Sequence, residues 1–349
     1  MLKRETGILA KRIEIGNFKS IKHLEMDCSR INVLIGKPNT GKSNILEAIG
    51  LFSARSGDIR SYVRLEETID LFYDHDISEE IKIFVDMGSD VTLEGIHKEI
   101  FCECKVTFQQ DQFRVEAKSN NLDKILKNAQ NFSHSITLGY LGESAGDGFS
   151  GTSPFRFYRF AVLDSFRNVR VDFLAPPKGN NLLSIILTNK ELKSRVNEIF
   201  SEYGLRVVLE PQEKKMKLLK EVDGIFVSYP YSLASDTLQR LIFHIAAIET
   251  NKNAVLIFEE PEAHAFPFYT KFLAEKIVRD KTNQYFVATH NPYFLLPLVE
   301  KATKEEVNVF VTYWEDNQTK IKLVNRPQLS RIIDLDLDVF FNLENFLEG

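Results

Sequence analysis

The sequence predicts an α/β fold with a mixed central sheet, an antiparallel β-meander and a helical lobe, and without a long coiled coil. An apolar run at residues 31–35 precedes a glycine-containing loop and a helix-like segment at residues 44–49. Two more short apolar runs, 254–258 and 284–289, are typical of parallel strands that are covered on both faces. Alternating segments between residues 81 and 115 predict antiparallel strands joined by short turns. Together these observations predict a parallel core with an antiparallel extension.

Five other segments complete the secondary-structure prediction. Residues 12–18 alternate in the manner of an edge strand, and residues 118–154 are rich in Asn, Ser and Gly, which predicts a loop or lid boundary. Residues 182–200 have helical periodicity, whereas residues 210–221 predict either a charged hairpin or a helix. Acidic and apolar residues alternate at 334–341, which favours a last strand over a docking edge for a partner.

Composition and charge set broad limits on function. The chain has 349 residues and a net charge of −5, so no basic field indicates constitutive nucleic-acid binding. Three cysteines are too few for a disulfide framework, and Cys102 and Cys104 are expected to be buried thiols on one face of a strand. Because neither a signal peptide nor a membrane-length apolar segment is found, a cytoplasmic protein without a membrane partner is expected.

Residues 36–43, with the sequence GKPNTGKS, fit the P-loop pattern G-x-x-x-x-G-K-[ST] at every fixed position. The strand before it and the helix after it are the setting in which this pattern binds a nucleoside triphosphate. Backbone N–H groups would face the phosphates, Lys42 would neutralise the β- and γ-phosphates, and the Ser43 hydroxyl would join a Mg²⁺ shell. The predicted nucleotide contacts are Gly36, Asn39, Thr40, Gly41, Lys42, Ser43 and Asn44.

Acidic residues and a histidine follow two of the predicted parallel strands. Glu259 and Glu260 come directly after the run at 254–258, and His290 follows the run at 284–289. Open α/β sheets place ligands at the carboxyl ends of their strands, so these side chains are expected beside the P-loop. Glu259 is predicted to hold Mg²⁺ directly or through water, and Glu260 to polarise the attacking water as a general base. The His290 imidazole could donate to a γ-phosphate oxygen.

Basic and aromatic residues alternate between Arg156 and Arg170. Such alternation can bind single-stranded nucleic acid. Because the whole chain is acidic, a strand with one solvated face is the favoured interpretation.

These motifs, in this order, give the chain a family resemblance. The P-loop, the helix-opening segment at 232–240, the run Glu-Glu-Pro-Glu-Ala-His at 259–264 and Ala-Thr-His-Asn at 288–291 resemble the ABC-type ATPases of the SMC and RecF branch. The nearest likeness is to compact prokaryotic OLD-like and "AAA family" ATP-binding proteins, which are often associated with phage defence. In that group a basic residue of the first strand approaches the nucleotide, and Lys19 is the matching position. The resemblance implies ATP and Mg²⁺ as cofactors.

The resemblance also implies a site that two subunits share. A signature helix of one subunit would cover the ATP that lies on the P-loop of the other, which predicts a homodimer with two composite sites. Ser235 is the predicted contact to the partner's γ-phosphate, and Ser232 is the alternative. The segment has no glycine, and Asp236 would repel a phosphate unless it caps the helix. An ordinary capped core helix is therefore the other interpretation.

One predicted Mg²⁺ ligand departs from the family pattern, and the identity of another is left open. Glu259 stands where many relatives have Asp, which makes a water-mediated contact plausible. A glutamine normally completes the shell, and Gln109, Gln110 and Gln112 are candidates among which the sequence does not choose.

The predicted function is an ATP hydrolase whose cycle gates a separate effector, in anti-phage defence or DNA maintenance. The alternative is a slow-turnover sensor or scaffold that holds a separately encoded nuclease or toxin, and a small-molecule kinase is a third possibility. Three parts are predicted: an N-terminal half of the ATPase lobe (1–120), a helical, lid and signature lobe (121–250), and a C-terminal half of the ATPase lobe (251–349).

Overall fold

The computed structural model describes residues 9–54, 59–91, 97–126, 130–167, 171–303 and 305–347. The strands are β1 Arg12–Phe18, β2 Ile21–Asp27, β3 Ile31–Gly36, β4 Ile81–Val91, β5 His97–Gln109, β6 Gln112–Ser119, β7 Ser133–Leu138, β8 Ser144–Ser150, β9 Phe155–Tyr158, β10 Leu205–Glu210, β11 Lys215–Val222, β12 Ile225–Pro230, β13 Val255–Glu259, β14 Gln284–Ala288, β15 Val307–Glu315 and β16 Gln318–Leu323. The α-helices are α1 Lys42–Gly50, α2 Leu182–Thr188, α3 Lys190–Ser201, α4 Asp236–Thr250, α5 Pro267–Arg279, α6 Pro292–Lys301 and α7 Arg326–Leu335.

A six-stranded mixed sheet forms the centre of the protein. Its strand order is β16-β15-β3-β14-β13-β9, and all neighbours are parallel except β15 and β16. Alternate residues of β13 enter two different hydrophobic cores: Leu256 and Phe258 lie in one, Val255 and Ile257 in the other. The prediction of parallel strands covered on both faces is therefore confirmed. The carboxyl ends of β3, β9, β13 and β14 meet at one edge of this sheet, which we call the carboxyl edge.

A seven-stranded antiparallel sheet, with the order β2-β1-β4-β5-β6-β7-β8, covers α1 on the side away from the central sheet. The predicted meander is confirmed, but two details of the prediction are wrong. β1 lies between β2 and β4 and is not an edge strand. Residues 118–154 hold the hairpin of β7 and β8 where a loop or lid boundary was predicted. The glycine-rich part of this segment contains β8, the strand at the edge of the sheet.

The helices α2 to α6 lie on the other face of the central sheet with a three-stranded sheet, β10-β11-β12. The helical segment at 182–200 divides at Asn189, whose side chain caps α3 by accepting from the Leu192 N–H at 3.0 Å. Residues 210–221 form part of a hairpin, which decides between the two predicted alternatives. The predicted last strand at 334–341 is wrong: α7 and a short 3-10 helix occupy this segment.

The predicted division into three parts stays a prediction. Residues 121–250 contain α2 to α4 and also six strands, β7 to β12. Cys102 and Cys104 are both buried on β5, as predicted, and burial raises the pKa of both thiols. In the part of the chain that the structure describes, none of the helices is long and apolar enough to cross a membrane.

Candidate active site

The P-loop connects the end of β3 to the start of α1 at the carboxyl edge. Gly36 and Gly41 have positive φ angles of 154° and 90°, a region that favours glycine. A Cβ atom at Gly36 would overlap with the Thr312 hydroxyl, and a Cβ atom at Gly41 would overlap with the Thr319 side chain. Both glycines are therefore required by close contact with the hairpin of β15 and β16 as well as by the turn itself.

The Lys42 side chain bends back over the loop. Its ammonium group donates hydrogen bonds to the backbone oxygens of Gly36 at 2.9 Å and Lys37 at 2.8 Å. Burial lowers the pKa of Lys42 to about 8, and the negative charge of Glu260 opposes that shift. The ammonium group is thus held inside the loop, where a phosphate would meet it.

Polar side chains in and after the P-loop bond within the loop, to the β1–β2 turn and to β15. The Thr40 hydroxyl donates to the Lys37 oxygen at 2.8 Å, and the Asn44 amide donates to the Ser20 hydroxyl at 2.7 Å. Asn39 has a φ angle of 60°, in the left-handed region. Nucleotide contact by these three side chains stays a prediction. The residues that hold them, including Ser20 and Thr312, carry no recognisable motif and were missed by the sequence analysis.

The two predicted carboxylates and the histidine meet at the carboxyl edge. β13 ends at Glu259, and Glu260 follows with a φ angle of 44°, a strained conformation for a residue with a side chain. The Glu260 N–H donates to the Ala288 oxygen at 3.0 Å, which ties this turn to the end of β14. His290 Nε2 lies 3.3 Å from Glu260 Oε1. The pKa of His290 is lowered by burial and then by the charge of Lys42, while Glu260 opposes the shift.

Glu262 forms a second link between the two turns, one that the sequence analysis did not assign. Its carboxyl group is buried and accepts a hydrogen bond from the Thr289 hydroxyl, one residue before His290. Burial raises the pKa of Glu262 to about 7. The carboxyl group connects the acidic turn to the histidine turn through this hydrogen bond.

Lys19 lies at the side of the P-loop helix. Its ammonium group contacts Glu47 Oε2 at 2.6 Å and donates to the Arg64 backbone oxygen. Burial lowers the pKa of Lys19, and Glu47 opposes that shift. The charge of Lys19 is thus paired with a buried carboxylate. The approach of Lys19 to a nucleotide stays a prediction.

The prediction of a strand with one solvated face is wrong for the segment that begins at Arg156, whereas single-stranded nucleic-acid binding by this segment stays a prediction. All four residues of β9 are buried, so the strand has no solvated face. The Arg156 guanidinium lies 4.2 Å from the centre of the Phe173 ring, and Arg159 contacts Glu259 at the carboxyl edge. Arg170 lies outside the described residues.

The predicted signature segment opens α4. Ser235 is the N-cap residue, and its hydroxyl accepts from the Leu238 N–H at 3.3 Å. Asp236 forms an ion pair with Arg240 within the first turns of the helix, so its charge is partly balanced there. The Gln239 amide donates to the backbone oxygens of Ser232 and Ala234, which fixes the residues before the helix. Contact between Ser235 or Ser232 and a partner's nucleotide stays a prediction.

Ser43 and Glu259 supply the oxygen donors that Mg²⁺ prefers. Each Glu259 oxygen accepts one contact from an arginine and keeps capacity for another. Within the described ranges, no cluster of three or more His, Cys, Asp or Glu side chains could hold a metal. Two protein donors with substrate phosphates and water suit Mg²⁺, so these residues fit the ion. Gln109, Gln110 and Gln112 lie in and beside the β5–β6 turn, and the choice among them stays open.

Two family models match this chain. The model described as "AAA ATPase domain" matches residues 10–141. The model described as "AAA domain, putative AbiEii toxin, Type IV TA system" matches residues 110–296, which is more than half of the chain. The chain belongs to this AAA family. The ATPase predicted from the sequence is confirmed by these matches.

Known proteins similar to this AAA ATPase include a curated relative and two solved structures. A Helicobacter pylori protein named "ATP/GTP phosphatase" is 20% identical over 321 residues, which cover 82% of this chain and 86% of the relative. An Smc head bound to the C-terminal winged-helix domain of ScpA has a TM-score of 0.51 at 14% identity, covering 93% of this chain and 99% of that chain. An Smc head with an extended coiled coil, described with the C-terminal domain of ScpA from Pyrococcus furiosus, has a TM-score of 0.50 at 14% identity, covering 93% and 98%. The predicted fold class is confirmed.

Proposed function

We propose that this AAA ATPase hydrolyses Mg²⁺·ATP at sites shared by two copies of the chain, and that the nucleotide cycle gates a separate effector. The observation that carries the catalytic part is the meeting of Lys42, Glu260 and His290 at the carboxyl edge, where Glu260 lies 3.3 Å from His290 and the charges of Lys42 and Glu260 both act on the pKa of His290. A phosphate-binding ammonium group, a carboxylate and an imidazole at one point are the groups that ATP hydrolysis needs.

The side chains have separate tasks in this mechanism. P-loop N–H groups and the Lys42 ammonium bind the phosphates, and Glu260 takes a proton from the attacking water. His290, 3.3 Å from Glu260, orients that carboxylate or donates to the γ-phosphate. Ser43 and Glu259 would hold Mg²⁺, which neutralises charge on the phosphate oxygens when it is bound. Because the pKa of His290 is lowered, the imidazole is neutral at physiological pH and keeps one N–H to donate.

A shared site is supported by exposed apolar side chains around the opening of α4. Leu233 is 72% exposed, and Phe266 and Phe268 are 66% and 65% exposed. The Thr237 hydroxyl donates to the His264 oxygen at 2.8 Å, so the start of α4 lies next to the loop that precedes α5. Exposed groups of apolar side chains mark surfaces that another molecule covers. We assign that role to the P-loop face of a second copy.

A mixing experiment tests the shared site. Lys42→Ala removes the phosphate-binding ammonium group, and Ser235→Arg blocks the surface that α4 would present to a partner. Each variant alone should be inactive. A 1:1 mixture should recover about a quarter of the wild-type phosphate release, because half of the dimers are mixed and each mixed dimer has one intact site.

An inactive mixture of two folded variants would contradict a shared site. Activity of Ser235→Arg on its own would contradict it as well. Lys37→Ala is the matched control for Lys42→Ala, since Lys37 is an exposed P-loop lysine whose charge pairs with Glu344.

The second part of the proposal is that the nucleotide cycle gates an effector that acts in anti-phage defence or DNA maintenance. The second family description associates the matched AAA domain with a putative toxin and a Type IV TA system, and we place the proposed effector in such a system. The alternative is a sensor that binds ATP, turns it over slowly and holds a nuclease or toxin. If wild type and Glu260→Gln both bind ATP and neither releases phosphate, the sensor is favoured. Proteins encoded by neighbouring reading frames should co-purify with Glu260→Gln in an ATP-dependent manner if gating is correct.

A further inference from the structure

Arg159 lies beside Glu259 because of the parallel pairing of their strands. In the parallel pairing of β9 and β13, Tyr158 lies opposite Phe258. The residues that follow them, Arg159 and Glu259, therefore both lie at the carboxyl edge. Arg159 Nη2 lies 3.2 Å from Glu259 Oε2. The same nitrogen lies 3.1 Å from Glu47 Oε1. One guanidinium group thus bridges a carboxylate of α1 and a carboxylate of β13.

Glu47 is the fixed end of this bridge. Its side chain is fully buried, four residues after Ser43 and therefore on the same face of α1. It contacts Lys19 at 2.6 Å, Arg64 Nε at 2.8 Å and Arg159 at 3.1 Å. A buried carboxylate with three cationic partners is strongly held, since loss of one partner would leave unbalanced charge in the interior.

Glu259 is the end of the bridge that faces the site. Arg64 Nη2 lies 3.3 Å from Glu259 Oε1, on the opposite oxygen from the one that Arg159 contacts. The Arg64 side chain is 58% exposed, whereas that of Arg159 is 24% exposed. Arg159 is therefore the more constrained of the two arginines, and it sets the position of the Glu259 carboxylate to a greater extent.

We propose that Arg159, anchored by Glu47, is a positioning residue that holds Glu259 in place for the Mg²⁺·ATP site. This inference rests on the proposed function and extends it. The bridge fixes the distance between α1, which carries Ser43, and the carboxylate at the end of β13. The positive charge of Arg159 also lowers the attraction of Glu259 for a cation, which suits a carboxylate that acts through a water molecule.

A double-mutant cycle separates positioning from a purely structural role. Arg159→Gln should lower kcat on the order of 10- to 100-fold, the effect of a displaced catalytic constellation. Glu259→Gln should also lower kcat, and adding Arg159→Gln to it should cause little further loss, because Arg159 acts through Glu259. Arg159→Lys keeps the charge but loses the planar group, so it should recover only part of the activity.

A binding measurement gives a second readout that does not depend on turnover. The Mg²⁺ concentration needed for half-maximal binding of a fluorescent ATP analogue should fall several-fold in Arg159→Gln, because the guanidinium no longer competes with the cation for the Glu259 carboxylate. This shift should vanish in the Glu259→Gln background. Arg156→Gln is the matched control: it alters a buried arginine three residues earlier that stacks on Phe173, and it should leave the Mg²⁺ midpoint unchanged.

Two results would overturn the inference. One is an Arg159→Gln protein with wild-type kcat and an unchanged Mg²⁺ midpoint. The other is an Arg159→Gln loss of the same size with and without Glu259, which would indicate an ion pair needed only for folding. If the wild-type protein binds Mg²⁺·ATP without releasing phosphate, the proposed hydrolysis fails, but the Mg²⁺ midpoints still test the role of Arg159.

Discussion

The two regions that the proposed mechanism brings together differ in the sequence separation of the contacts that hold their polar side chains. The first is the P-loop half, made of the carboxyl edge and the start of α1. The second is the α4 half, made of residues 231–240. In the P-loop half, Glu47 is fully buried and is held by partners up to 112 residues away in sequence. In the α4 half, the Ser235 hydroxyl accepts from a residue three positions away, Asp236 pairs with an arginine four positions away, and Leu233 is 72% exposed.

This difference indicates which half is complete within one chain. Long-range ion pairs fix the P-loop half before any partner arrives, which is the arrangement that electrostatic catalysis requires. The cap and the ion pair at the start of α4 are local, Thr237 bonds to the loop before α5, and the exposed Leu233 side chain is available to another molecule. One chain thus contains a preformed P-loop half and presents an open α4 half, and the following predictions test that contrast.

The largest effect is expected in the P-loop half. Glu260→Gln should lower kcat on the order of 100-fold or more, because the amide cannot take a proton from water. ATP affinity should stay within a few-fold, since Lys42 and the loop are unchanged. Phosphate release and binding of a fluorescent ATP analogue measure the two effects. Glu300→Gln, at an exposed position of α6, serves as the control. Wild-type turnover by Glu260→Gln would require another general base.

In the α4 half, Leu233→Glu should weaken ATP-dependent dimerisation by at least tenfold, because a charge would be buried at the proposed contact. ATP binding by the monomer should be unaffected. Sedimentation with and without ATP, in the Glu260→Gln background, measures the strength of dimerisation. The control is Leu323→Glu on β16, which changes another exposed leucine, 46% exposed. A dimer that persists in Leu233→Glu would place the contact elsewhere.

The pH dependence of stability tests how rigid the P-loop half is. Glu262 has a pKa of about 7 in the folded protein and an ordinary value of 4.5, so the folded state binds more protons between these values. Its contribution to stability is complete below pH 4.5 and is lost as pH rises through 7, an effect of about 3 kcal/mol. Glu262→Gln should remove this loss, so the variant gains stability relative to wild type from pH 5 to pH 8.

Denaturant unfolding at several pH values measures that difference. A constant difference between wild type and Glu262→Gln across this range would mean that the carboxyl group is ionised throughout. Glu262 would then link the turns of Glu260 and His290 as a carboxylate.

The smallest effect is expected when the N-cap residue of α4, Ser235, is replaced. Ser235→Ala should cost about 1 kcal/mol of unfolding free energy, because the Leu238 N–H loses its side-chain acceptor. Ser235→Asp should keep the cap and the stability, but its charge should prevent ATP-dependent dimerisation. Thermal unfolding and sedimentation give the two readouts. Dimerisation of Ser235→Asp at wild-type strength would show that no phosphate approaches this residue.

Local patterns predicted the central parts of the fold and of the site. The P-loop, the strand before Glu259 and the strand before His290 are contiguous in sequence, and the rule for carboxyl ends of parallel strands places them together. Predictions failed where position depends on distant partners. β1 has an alternating pattern that fits an edge or an inner strand, and only its pairing with both β2 and β4 decides. Residues 334–341 alternate like a strand but continue from α7.

By itself, the sequence determined that this protein has a P-loop, two carboxylates and a histidine at the ends of parallel strands, because each is a short run with its own backbone preference. The tertiary structure alone decided that Glu47, Arg64 and Arg159 join α1 to Glu259, and that Thr312 and Thr319 lie against the P-loop glycines. Ion pairs and close contacts of this kind depend on distances between residues far apart in the chain, and no local pattern encodes those distances.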